Sequence, residues 1–224
     1  MLGIVVQARL SSSRYPGKVL APLAGKPMLA HLLDGLRLCR GADRLVVATS
    51  VRPEDAAIAA FCRERGVRCR RGPLEDVAGR FLEVAAAEGL SAMVRISGDS
   101  PLLDHRLVDE AIARYRAGDF DLVTNVLRRS FPKGQSVEVV RVAALAGIHP
   151  RMDAAQREHV TPYFYAHPRE FRIDGFACPE DLQERRLCVD TVEDMERAAG
   201  ILARLERPLH DYTFRQLLAL EDGA

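Results

Sequence analysis

The 224-residue chain carries 32 Lys and Arg against 31 Asp and Glu, a formal net charge of +1. That balance excludes a surface built to coat nucleic acid or an anionic membrane, so any affinity for phosphate must come from a local cluster. No apolar run approaches the ~20 residues that span a bilayer. The opening MLGIVVQARL has no positive leader before its apolar run and reads as a buried strand rather than a signal peptide. The five cysteines (Cys39, Cys62, Cys69, Cys178 and Cys188) are odd in number and form no CxxC pair. They read as buried thiols of a reducing cytoplasm, not as disulfides or a zinc site.

In chain order, short Val- and Ile-rich runs alternate with longer helical patterns. Residues 2–6, 45–49 and 93–96 predict strands buried on both faces. Between and after them, residues 28–39, 53–65, 76–88 and 107–116 space their apolar positions as helices do, and 67–70 predicts a short strand after Gly66. Strand–helix alternation of this kind implies a parallel sheet covered by helices. The second half reads differently: strands at 121–126, 136–142, 171–178 and 186–189, helices at 142–148, 192–205 and 214–220, and a loop over 127–135. Thr191 caps the 192–205 helix, with Glu193 and Asp194 in its first turn. With no repeat and no long linker, the chain predicts one α/β domain with a mixed, mostly parallel sheet.

The first strand runs straight into Gln7-Ala8-Arg9-Leu10-Ser11-Ser12-Ser13-Arg14-Tyr15-Pro16-Gly17-Lys18. In open α/β sheets ligands collect at the carboxyl ends of the strands. Arginine forks and a mobile lysine charge in a loop there suit a polyphosphate. The loop is neither GxxxxGK[ST] nor GxGxxG. Next, Ile96-Ser97-Gly98-Asp99-Ser100-Pro101 presents a carboxylate at a strand's end, with glycine beside it. Asp190, in Val189-Asp190-Thr191, again follows an apolar run and precedes a helix. Magnesium prefers such oxygen ligands together with substrate phosphates. Helix capping is the competing reading for both aspartates.

QARLSSSRYPGKVL followed by LAGKPML resembles the opening of the cytidylyltransferases that make CMP-activated sugar acids, such as the CMP-Kdo and CMP-acylneuraminate synthetases. The SpsF-like spore-coat polysaccharide subgroup is the most similar. Leu74–Phe81 resembles its EDDVLGRF segment, residues 131–139 its YPDGLDVEV segment, with Lys133 and Ser136 in place of aspartates, and Arg157–Tyr163 its REHVTPY segment. Leu187–Asp194 resembles its VDTPEDLE segment, with Val192 in place of proline.

The resemblance implies a single-domain Rossmann-like nucleotidyltransferase fold of the GT-A type, with residues 1–120 as the nucleotide half and 121–224 as the acceptor half. It implies a cytoplasmic, Mg2+-dependent transfer of CMP from CTP to a sugar or sugar acid, with pyrophosphate released, for surface polysaccharide. Gln7, Ala8, Arg9, Ser12, Arg14, Lys18, Arg80 and Ser97 would bind the nucleotide. Arg9, Lys18 and Asp99 would serve catalysis, and Asp99 with Asp190 the metal. Glu138, Arg157 and His159 would hold the acceptor. Relatives are commonly homodimers, so the same is expected here. The rivals are a transferase using another nucleotide and a sugar phosphate, a glycosyltransferase with Asp119-Phe120-Asp121 as its DxD motif, and a non-catalytic nucleotide-binding protein.

Overall fold

Residues 1–223 are described by the computed structural model. The first strand, β1 (Leu2–Gln7), is apolar and almost entirely buried, as its run of Ile and Val dictates. A hairpin of two-residue strands, β2 (Pro22–Leu23) and β3 (Lys26–Pro27), leads to helix α1 (Met28–Leu36). Strand β4 (Arg44–Ser50), helix α2 (Ala56–Glu64), strand β5 (Arg68–Gly72), helix α3 (Val77–Glu88), strand β6 (Ala92–Ser97) and helix α4 (His105–Ala117) follow. The second half holds β7 (Leu122–Thr124), β8 (Glu138–Arg141), α5 (Val142–Ile148), α6 (Ala154–His159), α7 (Pro162–Ala166), β9 (Ile173–Gly175), α8 (Val192–Ala203) and α9 (Phe214–Asp222).

Both halves contribute to one seven-stranded sheet in the order β5-β4-β1-β6-β8-β7-β9. The strands from β5 to β6 pair in parallel, β8 pairs antiparallel to both β6 and β7, and β9 pairs in parallel with β7. The sheet is therefore mixed and mostly parallel, with helices on both faces. In β1, Ile4 and Val6 join the core formed with α1, α2, α4, α8 and α9, while Val5 joins the core under α3, α5 and α7. Alternate side chains of a strand point to opposite faces, so an uninterrupted apolar run is the signature of a sheet covered twice. Among the described residues, no helix is long and apolar enough to cross a membrane.

The strand expected at 186–189 does not form. That segment touches the rest of the chain as an extended strap, with one isolated bridge between Lys133 and Arg186. Leu187 N donates to Lys133 O at 2.7 Å and Val189 N to Asp99 O at 2.8 Å, so two different loops take its hydrogen bonds and no ladder grows. The strands expected at 121–126, 136–142 and 171–178 are real but shorter, at three, four and three residues. Helices α6 and α7 and the β2–β3 hairpin were not foreseen. Thr191 caps α8 as expected, in a capping box with Asp194.

Candidate active site

The carboxyl ends of β1 and β6, the loop after β1, the start of α3, the end of α6 and the strap before α8 enclose a cavity of about 350 Å³. The loop is shaped by its own backbone. Gly17 N donates to Leu10 O at 2.8 Å, and Gly17 takes the positive φ of 78° that this tight return requires. Leu10 N donates to the buried Asp55 carboxylate at 2.7 Å, which pins the loop to the start of α2. Those ties aim Arg9, Ser12, Arg14 and Lys18 at the cavity.

Lys18 is only 7% exposed, and its ammonium makes two hydrogen bonds, which leaves one N–H without a protein acceptor at hydrogen-bond distance. Nζ donates to Val189 O at 2.6 Å and to Asp190 Oδ1 at 2.9 Å, and lies 3.7 Å from Asp99 Oδ2. Asp190 also accepts from Arg186 Nη1 at 3.1 Å and forms an ion pair with Arg14 at 3.0 Å. Burial alone would raise the Asp190 carboxyl, but Lys18, Arg14 and Arg186 outweigh it and hold the group below the usual carboxylate range. Asp99 stands beside Gly98, where a Cβ would come within 2.7 Å of Gln7 O. The glycine is required because β1 and the Asp99 turn approach too closely for a side chain.

On the opposite wall, Arg9 pairs with Glu158 at 3.1 Å. Arg80 on α3 is 2% exposed. Its Nη1 donates to Pro73 O at 2.7 Å and its Nε has no partner among the described residues. Burial, with the Arg9 cation adding to it, lowers the affinity of Arg80 for its proton. A buried guanidinium without a carboxylate partner leaves room for a ligand's negative charge. The buried Gln7 Oε1, also on this cavity, lacks a partner as well.

The structure thus gathers Gln7, Ala8, Arg9, Ser12, Arg14, Lys18, Arg80, Ser97, Asp99, His159 and Asp190 on one cavity. Two expected acceptor residues fall elsewhere. Glu138 is 2% exposed and does not line the cavity, because Arg95 and Tyr165 take both its oxygens. Arg157 turns to the α3 cap, reaching His149 O at 3.5 Å and lying 3.9 Å from Asp76. Lys133, exposed and 4.0 Å from Glu184, and Ser136, also exposed, stand outside the cavity too. The Asp119–Asp121 pair is neutralised by Arg141 and Arg172 away from the cavity, which removes it as a metal motif.

Sequence reasoning missed Arg95, Glu158 and Arg186. A charge inside the apolar run MVRI was the available signal for Arg95, and Glu158 was hidden in a helix too short to show a face.

A family model described as cytidylyltransferase matches residues 3–216. The chain belongs to the cytidylyltransferase family. Members of that family are nucleotidyltransferases, and this cytidylyltransferase chain has similar relatives along nearly its whole length. The spore coat polysaccharide biosynthesis protein SpsF of Bacillus subtilis is 34% identical over 228 residues, 96% of this chain and 92% of SpsF. A cytidylyltransferase structure from Leptospira borgpetersenii superposes with a TM-score of 0.93 at 26% identity, covering 99% of this chain and 94% of the other. A CMP:2-keto-3-deoxy-manno-octonic acid synthetase complexed with CTP shares the fold, with a TM-score of 0.68 at 19% identity over 91% and 98% of the two chains.

Proposed function

We propose that this cytidylyltransferase-family chain transfers CMP from CTP to a hydroxyl of a sugar acid with release of pyrophosphate, in the supply of activated sugars for a surface polysaccharide. One observation carries the reading: Lys18 of the first loop bridges Asp99 and Asp190, 91 residues apart, inside a cavity whose lining includes three further cations near the loop and the start of α3, Arg9, Arg14 and Arg80. A triphosphate needs such a concentration of fixed positive charge. The family supports CTP, and the similarity to SpsF supports a polysaccharide product. A 3-deoxy-manno-octulosonate cytidylyltransferase of Nitratidesulfovibrio vulgaris, 33% identical over 63% of this chain and 57% of its own, supports an acidic sugar.

The donor set fits Mg2+. Two carboxylates, Asp99 and Asp190, converge on one spot beside the Lys18 ammonium. That leaves the other positions to water and substrate phosphate, as this ion prefers. Asp99 and Asp190 would hold it, and Mg2+ bound there supplies Lewis-acid neutralisation of phosphate charge. The protein's part is positioning and electrostatics. Arg14 and Lys18 draw the phosphates to the loop. Arg9 leaves Glu158 to meet the charge that grows as the acceptor oxygen bonds to the α-phosphorus and the bond to the departing pyrophosphate breaks. His159, exposed at the cavity, stands where an acceptor would sit. CTP is an intracellular nucleotide, so we place the reaction in the cytoplasm, carried out by a homodimer.

The test is pyrophosphate release with CTP, UTP, ATP and GTP in turn, with Mg2+, against sugar acids and sugar 1-phosphates. CTP with an acid is the expected productive pair. Turnover only with another nucleotide and a sugar phosphate would replace this reading, and CTP binding without turnover would leave a binding protein.

A further inference from the structure

Strands β1, β6, β8 and β7 set Val5, Arg95, Glu138 and Thr124 in one cross-strand row. Two residues away along three of these strands, the same face carries Met93, Val140 and Leu122, all buried and apolar. Into this layer the row inserts an ion pair, Arg95 Nη1 to Glu138 Oε2 at 2.6 Å. The Tyr165 hydroxyl on α7 donates to Glu138 Oε1 and lies 2.9 Å from Thr124 Oγ1. Burial first, then the Glu138 charge, raise the Tyr165 phenol far above its ordinary range, so it stays protonated and donating.

Stability does not account for this cluster. A buried ion pair is commonly no better than apolar side chains of the same volume. What it achieves is geometric. Arg95 lines the cavity, and Glu138 fixes one of its three nitrogens. Nε is buried without a partner among the described residues, and Nη2 donates to no protein acceptor there. Nε and Nη2 form one edge of the guanidinium, the fork that meets a carboxylate side-on.

The location separates this fork from the phosphates. Lys18 and Asp190 adjoin Val19 and Val189 of the core on one face of the sheet, whereas Arg95 shares the other face with α3 and α7. Arg95 also stands about 7 Å back along β6 from its end at Ser97. A ligand lying across the sheet edge with its triphosphate at Lys18 brings a different part to Arg95. A nucleoside has no anionic group to offer there; an acidic sugar does.

We propose that Arg95 binds the carboxylate of the acceptor, and that Glu138 and Tyr165 are positioning residues that hold its Nη1 and leave its other two nitrogens unpaired by protein. This rests on the reading of the cavity as a CTP and sugar-acid site. The cost of holding Glu138 out of the cavity is then explained, since its charge orients Arg95 instead of repelling the acceptor.

The experiment compares wild type with R95M, R95K and Y165F. It uses 3-deoxy-manno-octulosonate and N-acetylneuraminate as acidic probes and their methyl esters as uncharged ones. Calorimetry measures binding of CTP and of each probe, and pyrophosphate release gives KM and kcat. R95M is expected to weaken acid binding about 10- to 100-fold, the loss of a charge-assisted pair, with CTP and ester affinities unchanged. Y165F is expected to raise the acid KM several-fold at constant kcat, and R95K to restore only part of the R95M loss. Weakened CTP binding in R95M, equal losses for acid and ester, or no loss at all would overturn the proposal. Arg95-dependent acid binding without turnover would keep Arg95 and sink the transferase reading; wild type that binds neither acid would sink both.

Discussion

Arg9 and Glu158 form an ion pair across the cavity, Nη2 to Oε1 at 3.1 Å, joining residues 149 positions apart. Both side chains are more than a third exposed, so the pair is screened and worth no more than about 1 kcal/mol. On the proposed reading the Glu158 carboxylate competes with a phosphate oxygen for the Arg9 guanidinium. Glu158→Gln removes that competition, and CTP affinity is expected to rise by up to about fivefold, the equivalent of 1 kcal/mol. Isothermal titration with CTP decides it. A weaker complex would mean that Glu158 itself holds the nucleotide.

Lys18→Met tests the centre of the site. Asp190 keeps Arg14 and Arg186 when Lys18 is removed, so the variant is expected to fold with a thermal midpoint close to wild type. Turnover is expected to fall by about 10²- to 10³-fold, as when one preorganised donor to a developing charge is deleted. Pyrophosphate release at saturating CTP checks it. Near-normal turnover in a folded variant would remove Lys18 from the chemistry.

Much of this arrangement was legible from residues alone, for a physical reason. Strands β1, β4 and β6 are buried on both faces, which forces continuous apolar runs, and ligands gather where such strands end. Arg9, Lys18 and Asp99 stand just past those ends, so their place on the cavity could be read. Asp190 showed for the same reason, although the run before it is a strap tied to Lys133 and Asp99 rather than a strand. An apolar run records burial, and pairing depends on what lies alongside it. Glu138 and Arg157 were misplaced because the sequence does not say which neighbour a charge will meet. Helices α6 and α7, six and five residues long, are too short to display a periodic face, and Pro162 reads as a breaker when it in fact opens α7.

Cys188 lies two residues before Asp190 on this strap. Burial, then the Asp99 and Asp190 charges, push its thiol up to about 11. Raising a thiol above its ordinary value near 8.5 suppresses the reactive thiolate at neutral pH. At pH 8 the folded protein is therefore expected to alkylate at Cys188 about 200-fold more slowly than an unperturbed thiol. Labelling should climb as pH approaches 11 or on unfolding in urea. Peptide mapping after iodoacetamide treatment reads the site. Rapid modification of Cys188 at pH 8 in folded protein would show that the thiol is not buried beside the two aspartates.

Val160 is, with Ala24, one of two non-glycine residues at positive φ among the described residues, and it follows Glu158 and His159 directly. Its φ of 71° and ψ of −52°, with Thr161 N donating to His159 O at 2.9 Å, make a three-residue turn that β-branched residues rarely adopt. The side chain is fully buried in the core under α3 and α7, so the apolar contact holds the strained backbone in place. Strain of this kind costs on the order of 1–3 kcal/mol and is often found beside functional groups. Truncation to alanine removes the contact and keeps the strain; truncation to glycine removes both. Val160→Gly is therefore expected to be more stable than Val160→Ala by about 1 kcal/mol, the reverse of the usual order. Both should be less stable than wild type, because the buried side chain is lost. Urea unfolding of the three proteins measures this. Alanine more stable than glycine would mean that the turn at 160 is not strained, and that Glu158 and His159 reach the cavity without it.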